Sequence, residues 1–68
     1  MEYLINKKTR IIYAVKSVSL FNNEKYYWLR VKGQRRIIQV KEKIVNQTLI
    51  TYKPGFFEKI KLFFEFYN

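Results

Sequence analysis

The chain has 68 residues, a formal net charge of +9 and neither cysteine nor histidine. This length holds one small domain, and the missing Cys and His exclude disulfide frameworks, thiol or imidazole catalysis, and the usual zinc and haem ligands. No metal or other cofactor is expected. Fourteen Lys and Arg against five Asp and Glu favour an anionic partner.

The N-terminal residues and the longest apolar runs predict an intracellular protein. Residues 1–10 place a short apolar segment before Lys7, Lys8 and Arg10, which is the wrong order for a signal peptide. No apolar run approaches the length of a transmembrane segment. The expected location is the cytoplasm.

The first third of the chain predicts a β-hairpin. Glu2 to Ile5 are β-prone, and a polar group from Asn6 to Thr9 separates them from the apolar run Ile11 to Phe21. That run does not alternate strictly. Lys16 and Ser17 therefore predict a bend or bulge that divides it into two strand segments.

The stretch from Lys25 to Lys43, which follows a turn at residues 22–25, predicts a second hairpin with two different faces. Gly33 suits the first position of a two-residue type II′ loop with Gln34, although a three-residue loop is an alternative. In this register one face is apolar and the other is aromatic and basic. The predicted buried set is Tyr27, Leu29, Val31, Ile38 and Val40. The predicted cross-strand pairs include Val31 with Arg36 and, on the other face, Tyr26 with Lys41, Trp28 with Gln39, Arg30 with Ile37, and Lys32 with Arg35.

After Gly33 the strand is expected to extend to Val45. Asn46 and Gln47 predict the next turn, and the β-branched and aromatic residues from Thr48 to Tyr52 predict a further strand. Pro54 and Gly55 then end the β pattern.

Residues 54–68 form an amphipathic segment for which a helix is favoured over a strand, because good helix formers follow Pro54. As a helix, the segment has one apolar stripe opposite Glu58, Lys61 and Glu65; the stripe consists of Phe56, Ile60, Phe63, Phe64 and Tyr67. As a strand, one face would carry Ile60, Leu62, Phe64 and Phe66. Five phenylalanines are hard to bury in one small domain, which predicts a homodimer through this Phe-rich segment.

Together these elements predict a mainly β fold of about five antiparallel strands plus a C-terminal amphipathic helix. The expected architecture is a small SH3-like or OB-like, partly open barrel, or a curved sheet. We expect a single domain over residues 1–68, with a β-meander over 1–53 and the amphipathic segment over 54–68.

The outer face of the central hairpin is the predicted functional site, because it combines aromatic rings with cations. Flat rings stack on exposed bases, while Lys and Arg neutralise phosphates and release counterions. The alternative is that Trp28 and Tyr26 pack in the core beneath another element. The candidate nucleic-acid-binding residues are Tyr26, Trp28, Arg30, Lys32, Arg35, Arg36, Lys41 and Lys43.

The sequence therefore predicts a small, basic, non-catalytic nucleic-acid-binding protein, of the kind that viruses and mobile elements encode. The chain has no Asp, and its Ser and Thr hydroxyls lack an evident activating partner. One alternative is an interaction or inhibitor module that binds an acidic surface of a partner protein. Another is peripheral membrane binding through the C-terminal amphipathic segment.

Overall fold

The protein is mostly β, with five antiparallel strands in one open sheet and a helix at the C-terminal end. The computed structural model describes residues 2–67, so positions 1 and 68 of the predicted domain lie outside the described residues. The predicted class is confirmed, and the sheet does not close into a barrel. Its elements are β1 (Tyr3–Asn6), β2 (Ile12–Phe21), β3 (Glu24–Val31), β4 (Ile37–Lys41), α1 (Glu42–Thr48), β5 (Leu49–Tyr52) and α2 (Phe56–Phe66).

Strand order in the sheet is β4-β3-β2-β1-β5, so the first four strands form a meander and β5 adds to the free edge of β1. The predicted first hairpin is confirmed, because β1 pairs with β2. Its turn is closed by the Asn6 side chain, whose Oδ1 accepts backbone hydrogen bonds from Lys8 (2.8 Å) and Thr9 (2.9 Å). An Asn side chain stabilises a turn in this way by imitating a backbone acceptor.

The hairpin of β2 and β3 contains the bulge and the turn that the sequence predicts. The register shifts between Val15 and Ser17, which confirms the bulge at Lys16. β2 nevertheless runs as one strand, so the expected division into two segments is wrong. Asn22 and Asn23 form the turn with φ values of 50° and 63°, the positive angles that a type I′ turn requires.

The register of the central hairpin is confirmed. Tyr26 lies opposite Lys41, and the pairing continues to Arg30 opposite Ile37. The loop, however, is longer than predicted: pairing stops there, and residues 32–36 connect the strands.

Gly33 takes a different place in that loop from the predicted one. With φ of 85° it is the third residue of a turn closed by the Gln34 N–H and the Val31 carbonyl (3.0 Å). A type II turn requires a positive φ at this position. Because the turn uses Lys32 and Gly33 as its central residues, the predicted pairs of Lys32 with Arg35 and of Val31 with Arg36 do not form.

Helix α1 is the element that the sequence pattern does not predict. The expected strand to Val45 and the expected turn at Asn46 and Gln47 are wrong, since Glu42–Thr48 form a helix. The helix buries Val45 against Leu29 on one face of the sheet. A continued strand would have left that face without a cover, which explains why tertiary packing overrides the local β preference.

The sheet is covered on both sides, and each side has its own buried cluster. The α1 face joins Leu4, Leu29, Val45 and Leu49, with half-buried Tyr13, Val15, Tyr27, Ile38 and Val40 at its border. The α2 face joins Tyr3, Ile5, Ile12, Ala14, Leu62 and Phe66. The predicted inner set of the hairpin therefore borders the α1 face, but its burial is less complete than predicted. Only Leu29 is fully buried, and Val31 is half-buried and lies outside the cluster.

The predicted C-terminal helix is confirmed, but it packs through a different stripe. Leu62 and Phe66, one turn apart, are its buried residues. The predicted stripe points away from the sheet. We call the exposed set the outer face of α2; it consists of Phe56, Phe57, Ile60, Phe63, Phe64 and Tyr67.

This orientation predicts that alanine substitutions at two nearby phenylalanines differ strongly in their effect on stability. Phe66→Ala should lower the free energy of unfolding by about 3–5 kcal/mol, because the ring is fully buried. Phe64→Ala, at a ring that is 71% exposed, should change it by less than about 0.5 kcal/mol. Urea unfolding followed by circular dichroism measures both, and an equal loss in the two variants would contradict the packing of α2.

Candidate nucleic-acid interface

Arg30, one of the predicted interface residues, is buried between the sheet and the end of α2. It is 7% exposed, and its guanidinium donates to the Phe66 carbonyl (Nη1, 3.2 Å) and the Gln34 carbonyl (Nε, 2.9 Å). Its guanidinium carbon lies 5.9 Å from the centre of the Phe66 ring. A buried cation is tolerated when such bonds satisfy its donors. Arg30 therefore supports the fold, because Nε and Nη1 each donate a hydrogen bond to a backbone carbonyl.

Lys16, the residue at the bulge of β2, shares this role. Its Nζ donates to the same Phe66 carbonyl at 3.1 Å. Two cations thus meet the C-terminal end of α2, where the helix dipole is negative and carbonyls lack intrahelical partners. The bulge has a structural consequence, because it places a Lys side chain at the end of a helix distant in sequence.

Tyr26 and Lys41 lie side by side on the α2 face but share a carboxylate. The Tyr26 hydroxyl donates to Glu24 Oε2 at 2.8 Å, and Lys41 Nζ lies 3.5 Å from the same oxygen. The Tyr26 hydrogen bond, followed by the Lys41 charge, holds the pKa of Glu24 below its usual value. The same hydrogen bond raises the pKa of Tyr26. The charge of Lys41 is therefore partly neutralised within the protein.

Trp28 lies on the part of the α2 face that the helix leaves uncovered. Its ring is half-buried and belongs to neither buried cluster. Its cross-strand neighbours are Ser17 and Gln39, and its Nε1 donates to Ser19 Oγ at 3.0 Å. A flat ring surrounded by small or polar side chains retains a face that a base could contact.

The remaining predicted cations lie in two places. Lys32, Arg35 and Arg36 are exposed together in the loop between β3 and β4. Lys43 is exposed on α1 instead of continuing β4. The loop residues and Lys43 consequently do not form one row of side chains, as a continuous strand would have required.

The loop lies beside a second basic turn. In an antiparallel meander, the β1–β2 turn and the β3–β4 loop lie at the same end of the sheet, and the Lys32 N–H donates to the Ile12 carbonyl (2.9 Å) beside that turn. The turn carries three exposed cations of its own. We call the combined set the cationic end; it consists of Lys7, Lys8, Arg10, Lys32, Arg35 and Arg36.

No carboxylate interrupts the cationic end, because neither connection contains an acidic residue. Glu24 and Glu42 already have cationic partners elsewhere, Lys41 and Lys25, each at 3.5 Å, and Glu58 accepts a hydrogen bond from the Tyr52 hydroxyl. Within residues 2–67, the ion pairs involve no cation of this set. The charge there remains available to an outside anion.

A shallow hollow of about 210 Å³ extends the cationic end towards the last turn of α1. Asn6, Lys7, Lys8, Gln47 and Thr48 line it, and the Lys7 N–H donates to the Thr48 carbonyl at 3.0 Å. Amide and ammonium donors therefore line the same surface, which suits oxygen-rich ligands.

Lys7, Lys8 and Arg10 are the residues missing from the sequence-based site. They form a dense basic run, but their position beside the second hairpin depends on strand order. One signal was nevertheless present, because alternate turns of any antiparallel meander lie at the same end of the sheet. Applied to the predicted strands, that rule pairs the basic turn with the loop at Gly33.

Nothing in residues 2–67 resembles a metal site, since no three His, Cys, Asp or Glu side chains cluster there. Neither helix is long and apolar enough to cross a membrane in this described part of the chain. Comparison with models of known protein families, with curated proteins and with solved structures finds no match for the chain.

The Glu24 cluster predicts a pH-dependent contribution to stability. A carboxyl group whose pKa is lowered on folding stabilises the protein above its unfolded-state pKa, and this stabilisation is lost as pH falls through the folded-state value. Tyr26→Phe should therefore destabilise the protein near neutral pH and have less effect in acid. Urea unfolding midpoints of the natural protein and of Tyr26→Phe, measured from neutral to acidic pH, test this prediction, and NMR follows the titration of Glu24. A pH-independent difference would contradict it.

Proposed function

We propose that the protein is a small, non-catalytic nucleic-acid-binding protein that contacts phosphates with its cationic end. The observation that carries the proposal is the meeting of six exposed Lys and Arg side chains from two connections that contain no acidic residue. Such a surface neutralises several phosphates at once and gains free energy by releasing their counterions. The intracellular location and the viral or mobile-element origin stay predictions from the sequence.

Trp28 favours single strands as the substrate. Trp28 lies on β3, four residues before Lys32 in the loop, so the ring and the loop are separated by about 13 Å along the strand. A single strand could place phosphates at the loop and one unpaired base on the Trp28 ring. In a duplex the bases are already stacked on each other, so the ring would add little.

The first test compares the salt dependence of binding in two variants that each lose three positive charges. For single strands, every neutralised phosphate contributes about 0.7 to the slope of log K against log salt. Lys32→Gln/Arg35→Gln/Arg36→Gln should therefore reduce the slope by about 2. The matched control Lys53→Gln/Lys59→Gln/Lys61→Gln, at exposed positions outside the cationic end, should leave it nearly unchanged. Fluorescence anisotropy with single- and double-stranded oligonucleotides gives both slopes.

Equal slopes for these two variants would mean that binding follows net charge alone and would contradict a defined interface. Failure of the natural protein to bind any oligonucleotide at low salt would reject nucleic acid as the partner. The same cations would then favour the alternative predicted from the sequence, an interaction module that binds an acidic surface of a partner protein. A pull-down in nuclease-treated lysate separates these partners, because a protein partner survives digestion.

A second test concerns stacking. Trp28→Ala should weaken single-strand binding about 5- to 100-fold, as expected for one base–aromatic contact. Trp28→Phe keeps a ring and should retain most of the affinity. Because the ring belongs to neither buried cluster, both variants should stay folded, which circular dichroism verifies. Quenching of Trp28 fluorescence by single strands supports the contact, and equal affinity of all three proteins would exclude it.

A further inference from the structure

The outer face of α2 is an apolar surface that the fold itself does not use. Phe57 is 77% exposed, and the aromatic rings contact each other instead of the sheet. Ring centres of Phe56 and Phe57 are 5.4 Å apart, and those of Phe63 and Phe64 are 5.9 Å apart. Beside Tyr3 the surface continues into an apolar hollow of about 500 Å³. Six adjacent large apolar side chains on one helix are far more than isolated exposed residues would explain.

Charged residues flank this face in a regular way. At 3.6 residues per turn, the six apolar positions span an arc of about 120°, and Lys59 and Lys61 follow about 40° beyond its two borders. Glu58 and Glu65 lie further round the helix, and Glu58 accepts a hydrogen bond from the Tyr52 hydroxyl. An apolar arc bordered by lysines on both sides is typical of helices that lie in a membrane interface.

A second copy of the chain fits this face less well. The six side chains of this face expose roughly 700 Å² together, close to the roughly 800 Å² that each partner buries in a stable dimer, so charge rather than area distinguishes the two occupants. Each copy has a net charge of +9, which opposes the approach of two identical surfaces. An anionic lipid surface instead attracts the same charge and needs no matching shape.

We propose that α2 binds the surface of anionic lipid bilayers, with its outer face in the boundary between headgroups and acyl chains. The alkyl stems of Lys59 and Lys61 follow the border of the apolar arc while their ammonium groups reach lipid phosphates. This site is separate from the cationic end and does not depend on nucleic-acid binding.

Co-sedimentation with vesicles tests the proposal. The natural protein should pellet with phosphatidylcholine vesicles that contain phosphatidylserine, and less with phosphatidylcholine alone. Phe57→Ser/Phe64→Ser, at two outward positions, should reduce binding to the anionic vesicles by at least about tenfold, because each ring loses its apolar burial. The matched control Leu20→Ser/Phe21→Ser removes similarly exposed apolar side chains from the end of β2 and should bind like the natural protein.

Three outcomes would overturn the proposal. One is the absence of pelleting with anionic vesicles. Another is equal pelleting of the natural protein and Phe57→Ser/Phe64→Ser, which would mean that charge alone holds the protein on the vesicle. The third is a dimer in sedimentation velocity that this variant converts to a monomer, because a second copy would then cover the face. Unchanged oligonucleotide binding by the variant would show that the two proposed sites act separately.

Discussion

The position of Arg30 is the constraint on which most of the structure depends. Its guanidinium bonds to the Gln34 carbonyl in the β3–β4 loop and to the Phe66 carbonyl at the end of α2. One side chain therefore fixes both the basic loop and the C-terminal helix relative to the sheet. Burying a cation without a carboxylate is costly unless its donors are satisfied, and here carbonyl oxygens supply the acceptors. Lys16 adds a third bond to the same junction, made accessible by the bulge in β2.

This junction also explains why α2 exposes its wide apolar side. The helix approaches the sheet over Ala14, whose small side chain leaves room for Leu62 and Phe66 next to Tyr3. Arg30 and Lys16 hold the Phe66 carbonyl at the end of the helix, and Leu62 and Phe66 are the side chains buried against the sheet. In this orientation the larger aromatic stripe faces outward.

Charge and apolar surface are separated on this molecule by its topology. The meander brings two basic connections to one end of the sheet, while α2 presents aromatic rings along one side. Glu24 and Glu42 form their ion pairs away from that end, and Glu58 accepts a hydrogen bond from the Tyr52 hydroxyl. The result, within residues 2–67, is a cationic end that takes part in no ion pair and an apolar helix face with lysines at its borders. Both surfaces suit anionic partners, but through different chemistry, phosphate contact in one and interfacial insertion in the other.

The sequence by itself determined the features that depend on near neighbours. The turn placed at Gly33, supported by the separation of apolar from basic side chains, predicted the right register of Tyr26 to Arg30 even though Gly33 takes a different place in the loop. Asn22 and Asn23 predicted a turn, and the helix formers after Pro54 predicted a helix. Only the tertiary structure decided the rest. Residues 42–48 form a helix because Val45 covers the α1 face, and Arg30 is buried because α2 ends above it. Lys7 and Arg35 lie at one end of the sheet because of strand order. These outcomes depend on contacts between residues distant in sequence, which local periodicity cannot reveal.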